Sequence, residues 1–414
     1  MKLTEYEQAM RAGAFGEPRR LAIEQQIEVG RFFDAEDFVE VSQAHIMGDT
    51  EALGAAGVEF LERLASFPEA ERQVAVPTIT DPRGVDQCRY RLLKQRDEWA
   101  NLELRASAAM RSLGVLMTDT CINYQTIQAP VFGQHMAFGD TGVVIYSNSV
   151  CGARSNFEGG PAALAAALTG RTPRYGYHLD ACRKGKMLFE LAFEPRNLTE
   201  WGALGALIGR AAGSYWSVPV LSTVHTSPGS DELKHFGAAM ASYGSVALYH
   251  IVGITPEAPD LHSAFDGAVP AARRLTRDDL EAYYASFGCH DKVDVVVFAA
   301  PQLSLLEMRE LSQLLRGRRV HAGTSLLIAT SPENKSACDR MGITQILEEA
   351  GAMVLSGVCF YQMYAREMAQ ANNWKTLLTN SAKLVNIIAG YGYQPVIAPM
   401  DVCVEAALRG GMAR

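Results

Sequence analysis

With 414 residues, the chain is long enough for two or three packed units rather than one core. Apolar residues make up 48% and charged residues 20%, an ordinary globular balance, and a net charge of −8 without a lysine/arginine cluster leaves no footprint for nucleic acid. No window is apolar enough for a membrane span, and the amino-terminal run MKLTEYEQAMRAGAFGEPRR lacks the apolar core of a signal peptide, so the expected compartment is the cytoplasm.

Residues 4–33 and 50–66 carry apolar positions three or four apart, which predicts helices. His45 lies between them and, by itself, reads as a loop histidine. Residues 76–86 are extended and contain proline. Residues 96–113 are helical, and Gly114 stops that helix. A short apolar strand over 114–117 then runs into Thr118-Asp119-Thr120-Cys121, which puts the Cys121 thiol at a strand end, where a sheet delivers side chains to a cleft. A further strand is expected over 143–146, followed by a loop over 148–156 that holds Asn148, Ser149, Cys151, Arg154, Ser155 and Asn156.

Glu158-Gly159-Gly160-Pro161 is a glycine-rich turn feeding a helix over 161–169, with proline suited to its first turn. Such a turn presents free backbone N–H groups to an anion, and Arg154 adds a forked cation that matches a carboxylate. A plain strand, loop and ordinarily capped helix fits the same residues. Helices over 199–213, rich in Gly and Ala for close packing, and over 230–242 follow, then an apolar strand over 245–253. The clearest alternation comes last: strands over 294–299, 320–330 and 352–356 separated by helices, the first opened by the capping pair Ser304 and Glu307. This is the pattern of a mostly parallel sheet with helices on its faces. Thr379-Asn380-Ser381-Ala382-Lys383 is expected in a turn between helical stretches, where a helix cap with an exposed lysine is the plain reading. A last strand covers 396–399, and Asp401 caps the final helix.

Eight cysteines are too sparse for a disulfide framework, and no CxxC pair occurs. Most read as small buried side chains, although a scattered set can converge in space.

The motifs CGARSNFEGGP (151–161), TDTCINY (118–124) and TNSAK (379–383) together resemble the large subunit of the aconitase X family, a branch of the aconitase superfamily. VSQAHIMGDTEALGAAGVEFLE (41–62), VPTITDPRGVD (76–86), TGRTPRYGYHLD (169–180) and ALYHIVGITPEA (247–258) extend the likeness over most of the chain. The resemblance implies an α/β, aconitase-like fold: several three-layer α/β/α units with mostly parallel sheets around a central cleft. We expect a first region over 1–265 with the Cys121 and Arg154 motifs, and a second over 266–414 with the βαβαβ pattern and TNSAK. The superfamily's small swivelling domain is missing, which implies a separate small subunit.

Aconitase-type enzymes remove water from a hydroxy acid. Hydroxide is a poor leaving group and wants a Lewis acid, supplied in the superfamily by an iron–sulfur cluster on cysteine thiolates. The proton beside a carboxylate is weakly acidic, so the developing charge wants fixed donors. By resemblance Cys121 and Cys359 are expected cluster ligands. The family's Cys-Pro-His run reads Ala299-Ala300-Pro301-Gln302, so the third ligand falls to Cys151, with Cys289 and Cys403 as other choices. The resemblance likewise makes His45, Ser149 and Lys383 candidate catalytic residues. Asn148, Arg154, Ser155, Asn156, Asn380 and Ser381 become candidate substrate contacts. The implied activity is dehydration of cis-3-hydroxy-L-proline or a related hydroxylated amino acid, with mevalonate 5-phosphate as the alternative substrate. A cluster-free isomerase or a non-catalytic binding scaffold is the reading from another class.

Overall fold

A computed structural model describes residues 1–288 and 290–412. The first 181 residues hold strands β1 (Phe38–Glu40), β2 (Ala44–Ile46), β3 (Thr78–Thr80), β4 (Ala137–Phe138) and β5 (Arg171–Pro173). β1 and β5 pair antiparallel, while β3-β2-β4 form a small parallel sheet. A second parallel sheet follows from β6 (Met187–Leu191), β7 (Pro219–Ser222), β8 (His250–Ile251) and β9 (Ala272–Leu275), in the order β8-β7-β6-β9. The third is built from β10 (Val295–Leu303), β11 (Ser325–Thr330), β12 (Met353–Ser356), β13 (Thr376–Thr379) and β14 (Gln394–Ile397). Its order is β12-β11-β10-β13-β14, and every pair is parallel. Helices cover these sheets, as the α/β pattern predicts. No helix among the described residues is long and apolar enough to cross a membrane.

Several expected elements differ. The run over 143–146 is the middle of a helix, Thr141–Ser149, whose N-cap Asp140 accepts from the Val143 N–H at 2.9 Å. Every residue from Gly142 to Ser149 is buried, so the run shows no alternation by which a strand could be told from a core helix. Asn148 and Ser149 therefore end a helix rather than open a loop. The strand expected over 114–117 is reduced to one bridge, Leu116 to Ile79. The strand expected over 245–253 pairs only at β8; Ser245 is the exposed left-handed cap of the preceding helix, and residues 246–249 are buried without a ladder. TNSAK follows a strand, β13, not a helix, and its Ser381 caps the helix Ala382–Ile388. The last helix, Met400–Arg409, has Pro399 at its cap, with Asp401 in its first turn.

The Gly/Ala-rich helix Leu198–Ala212 does pack closely, lying on Ser230–Gly244 almost backbone to backbone. A Cβ on Gly205 would sit 2.1 Å from the Phe236 carbonyl oxygen, and one on Gly244 would sit 2.1 Å from that of Gly209. Backbone cannot yield as a side chain end can. Gly205→Ala should therefore destabilise the chain by about 1–3 kcal/mol, the range for overpacking a filled core, read as a lower denaturation midpoint with an unchanged slope.

Candidate active site

The carboxyl ends of parallel strands deliver side chains to crevices, and two of the sheets do so at one place. His45 lies on β2, the central strand of the small sheet. Asp81 follows β3 on one side of it and Asp140 follows β4 on the other. From the large sheet come Gln302 at the end of β10, Cys359 beyond β12 and Lys383 beyond β13. Cys121 enters from the loop before the short helix Asn123–Thr126. All seven of these side chains are buried.

At the centre, the Lys383 Nζ donates to Asp140 Oδ2 at 3.2 Å, joining residues 243 apart in sequence. Burial disfavours both charges, but each holds the other: Asp140 ends below the usual carboxylate range and Lys383 above the usual ammonium value. Among the described residues, no lysine or arginine pairs with Asp81, whose Oδ1 lies 3.6 Å from the His45 Nε2. Burial first, and the Asp140 charge second, push its carboxyl well up, against the Gln362 amide that donates to Oδ2 at 2.8 Å. Its Oδ1 has no hydrogen-bond partner. His45 donates from Nε2 to the Thr120 carbonyl at 2.9 Å, and burial lowers its pKa. This holds the backbone just before Cys121.

The Cys359 thiol lies beside that of Cys121, and this neighbour, with burial, raises the Cys121 pKa well above a free thiol. Asn380 opens on a neighbouring cleft of about 930 Å3. This cleft runs between the carboxyl ends of the second and third sheets. The amino ends of the helices Leu198–Ala212, Ser230–Gly244, Leu305–Leu315 and Met400–Arg409 line it. Carboxylates outnumber cations on its wall: Asp231, Glu232, Glu307, Glu310 and Asp401 face a single Arg196.

The remaining expected site residues lie elsewhere. Asn148 donates to the carbonyls of Ser155 (2.8 Å) and Ala247 (2.9 Å), and Ser149 Oγ accepts from the Tyr249 N–H at 2.9 Å. Ser155 Oγ accepts from the Phe138 N–H, and Asn156 donates to the Tyr175 carbonyl. Each of these polar side chains holds a loop. Arg154 bridges His135 before the amino end of β4, whereas Asp140 follows the carboxyl end. Its guanidinium is engaged by Asp180 and by the His178 carbonyl. Ser381 Oγ donates to the Ala300 carbonyl at 2.5 Å. Cys151 packs half-buried against the core that holds Tyr146 and Tyr249, where burial pushes its thiol up to about 11. Cys403 is buried behind the third sheet and donates to the Ala398 carbonyl. Cys289 lies outside the described residues. Asp81, Asp140 and Gln302 were not anticipated; the signal for the two aspartates is a carboxylate placed just after a short buried strand.

Family profiles described as Aconitase X first, second and third domain match residues 1–181, 185–285 and 293–409. The chain belongs to the aconitase X family. It is 35% identical to a phosphomevalonate dehydratase large subunit of Methanothermobacter thermautotrophicus, over 93% of each chain. It is 31% identical to a cis-3-hydroxy-L-proline dehydratase of Pseudomonas aeruginosa, over 99% of this chain and 70% of that one. A crystal structure of Thermococcus kodakaraensis aconitase X in its holo form superimposes with a TM-score of 0.87 at 29% identity, covering 98% of this chain and all of the other. Aconitase X membership makes the chain an enzyme of the dehydratase, or hydro-lyase, type, on an aconitase-like α/β fold.

Membership also implies an iron–sulfur cluster. Cys121 and Cys359 are side by side, as two ligands of one centre would be. The third expected ligand, Cys151, is not brought to them, and no group of three His, Cys, Asp or Glu side chains suited to a metal occurs among the described residues. Two thiols are not the donor set of a three-thiolate cluster.

Two outcomes follow from the geometry. Lys383→Met leaves Asp140 buried without its cation and should cost about 3–5 kcal/mol of unfolding free energy; adding Asp140→Asn should recover part of that loss in urea titrations. Burial raises the Asp81 carboxyl in the fold, so its share of stability is lost as pH rises from the ordinary carboxylate range through the raised value. Asp81→Asn, which keeps an acceptor for Gln362, should be more stable than wild type at pH 8 and show a flatter alkaline limb in melting-temperature scans.

Proposed function

We propose that this chain is the large subunit of an aconitase X-type dehydratase acting on a small hydroxy acid. The reading is carried by one observation: the Lys383–Asp140 pair, His45, Asp81 and the two adjacent thiols meet where two parallel sheets end. In such a reaction a C–H bond beside the carboxylate breaks and its electrons form the double bond. The neighbouring C–O bond breaks, and the hydroxyl leaves with a proton as water. The fixed Lys383 ammonium stabilises the negative charge that develops, at no cost of reorganisation because Asp140 already holds it. Asn380 orients the substrate from the wall of the cleft, and Ser381 caps the helix that carries Lys383. His45 keeps the Thr120–Cys121 backbone in place. A small subunit, implied by the "large subunit" names of relatives, closes the site and supplies the base.

Between the two substrates named for relatives, the charge of the cleft favours cis-3-hydroxy-L-proline or a related hydroxylated amino acid. With Asp231 and Glu307 already paired to Lys234, the three other carboxylates of the wall against one arginine suit a zwitterion better than the dianionic phosphate of mevalonate 5-phosphate. The incomplete donor set for a cluster favours a second reading, an isomerase that moves a proton without expelling hydroxide.

Turnover assays with the small subunit separate these readings. We expect loss of cis-3-hydroxy-L-proline with release of one water per turnover. Preference for mevalonate 5-phosphate would correct the substrate. Solvent deuterium entering the substrate with no water released would replace dehydration by isomerisation, and inertness toward all of them would defeat the enzyme reading of the pair of thiols.

A further inference from the structure

Gln302 is wholly buried, and its bonds reach three parts of the chain. The large sheet loses its register between Phe298 and Leu303, so residues 299–302 leave the β10–β11 ladder and swing toward Cys121. There the Gln302 Oε1 accepts from the Cys121 N–H at 3.3 Å. Its Nε2 donates to the carbonyls of Asp119 (3.1 Å) and Val358 (3.2 Å), and its backbone N–H donates to the Cys121 sulfur at 3.4 Å. Asp119 and Val358 lie just before the two cysteines, so one carboxamide ties both cysteine segments together.

The other side of Gln302 is fixed by charge. Its carbonyl accepts from the Lys234 Nζ at 3.3 Å. That ammonium, fully buried, is paired with Glu307 and, at 3.2 Å, with Asp231. His235 donates to Glu307 at 2.7 Å from the next position of the same helix. Burial works against the Glu307 charge, but Lys234 and His235 hold it far below the usual carboxylate range. Gln302 therefore hangs from an ion cluster between the second and third sheets and reaches the backbone of both cysteine segments.

We infer that Gln302 is a positioning residue: it sets the cysteine segments of Cys121 and Cys359 relative to one another and gives the Cys121 sulfur a backbone donor. An amide does this where a purely apolar side chain of the same volume cannot. Removing it strands a buried N–H and two buried carbonyls, and the two cysteine segments then move independently. Only the kinetic consequence rests on the dehydratase reading; the hold on the thiols does not.

The test has two arms. In the large subunit alone, the infrared S–H stretching bands of the buried thiols are assigned with Cys121→Ser and Cys359→Ser and then followed in Gln302→Ala and Gln302→Glu. Gln302→Glu keeps the volume and the acceptor but loses both side-chain donors, and it serves if the alanine variant does not fold. We expect the Cys121 band to shift and broaden in both. With the small subunit added, kcat on the substrate that wild type turns over should fall about 10- to 100-fold, the effect of a displacement on the order of 1 Å, with KM little changed. Unmoved S–H bands overturn the inference. Shifted bands with wild-type kcat overturn it as well, leaving Gln302 a packing residue. If wild type turns over no hydroxy acid, the dehydratase reading fails, and the S–H bands still decide what Gln302 holds.

Discussion

The buried pair of Lys383 and Asp140 is the constraint on which the site depends. Two charges taken out of water are costly unless they meet each other in good geometry. Here they meet only if the end of β4 and the start of the helix Ala382–Ile388 come together from opposite halves of the sequence. The same meeting brings Asp81 and the Cys121 and Cys359 thiols within reach of that ammonium. It also separates two aspartates by their surroundings: Lys383 holds Asp140 below the usual carboxylate range, and burial pushes Asp81 well above it.

A second ion cluster does for the large sheet what the first does for the site. Lys234, Glu307, Asp231 and His235 lock the helix Ser230–Gly244 to the amino end of Leu305–Leu315. Ser304 joins them by donating to Asp231 at 2.6 Å. Because β10 loses its register beside this cluster, its last residues serve as a connector between sheets instead of a ladder. The cleft between the second and third sheets is thus walled by elements whose relative positions are set by buried charge. Much of its acidic lining is committed to caps and ion pairs rather than left free.

Membership in the aconitase X family brings an expectation that this chain meets only in part. The thiols of Cys121 and Cys359 lie beside each other, Cys151 packs against an aromatic core, and Gln302 satisfies the backbone around the two cysteines. Similarity at about one-third identity joins the chain both to phosphomevalonate dehydratase large subunits and to cis-3-hydroxy-L-proline dehydratases. The frame is therefore common to enzymes with different substrates, and the differences have to be sought in the cleft wall and around the two cysteines.

Local pattern was enough to determine much of the chain. Capping pairs such as Ser304 with Glu307, three- and four-residue apolar spacing, and strand–helix alternation after residue 290 are properties of neighbouring residues. The glycines of Leu198–Ala212 likewise announced a close helix contact. The order of the motifs around Cys121, Arg154 and Lys383 was enough for the family. Tertiary structure alone decided the rest. The run over 143–146 is helix because it is buried on every side, which period cannot report. Arg154 lies beside the amino end of β4 and is spent on Asp180, and Cys151 faces an aromatic core, because chain neighbours need not share a sheet end. Asp81 and Asp140 carried no motif that singled them out, and Gln302 stood out only as a departure from the family's Cys-Pro-His run. They became a site only through burial and through partners dozens to hundreds of residues away, and no spacing along the chain encodes either.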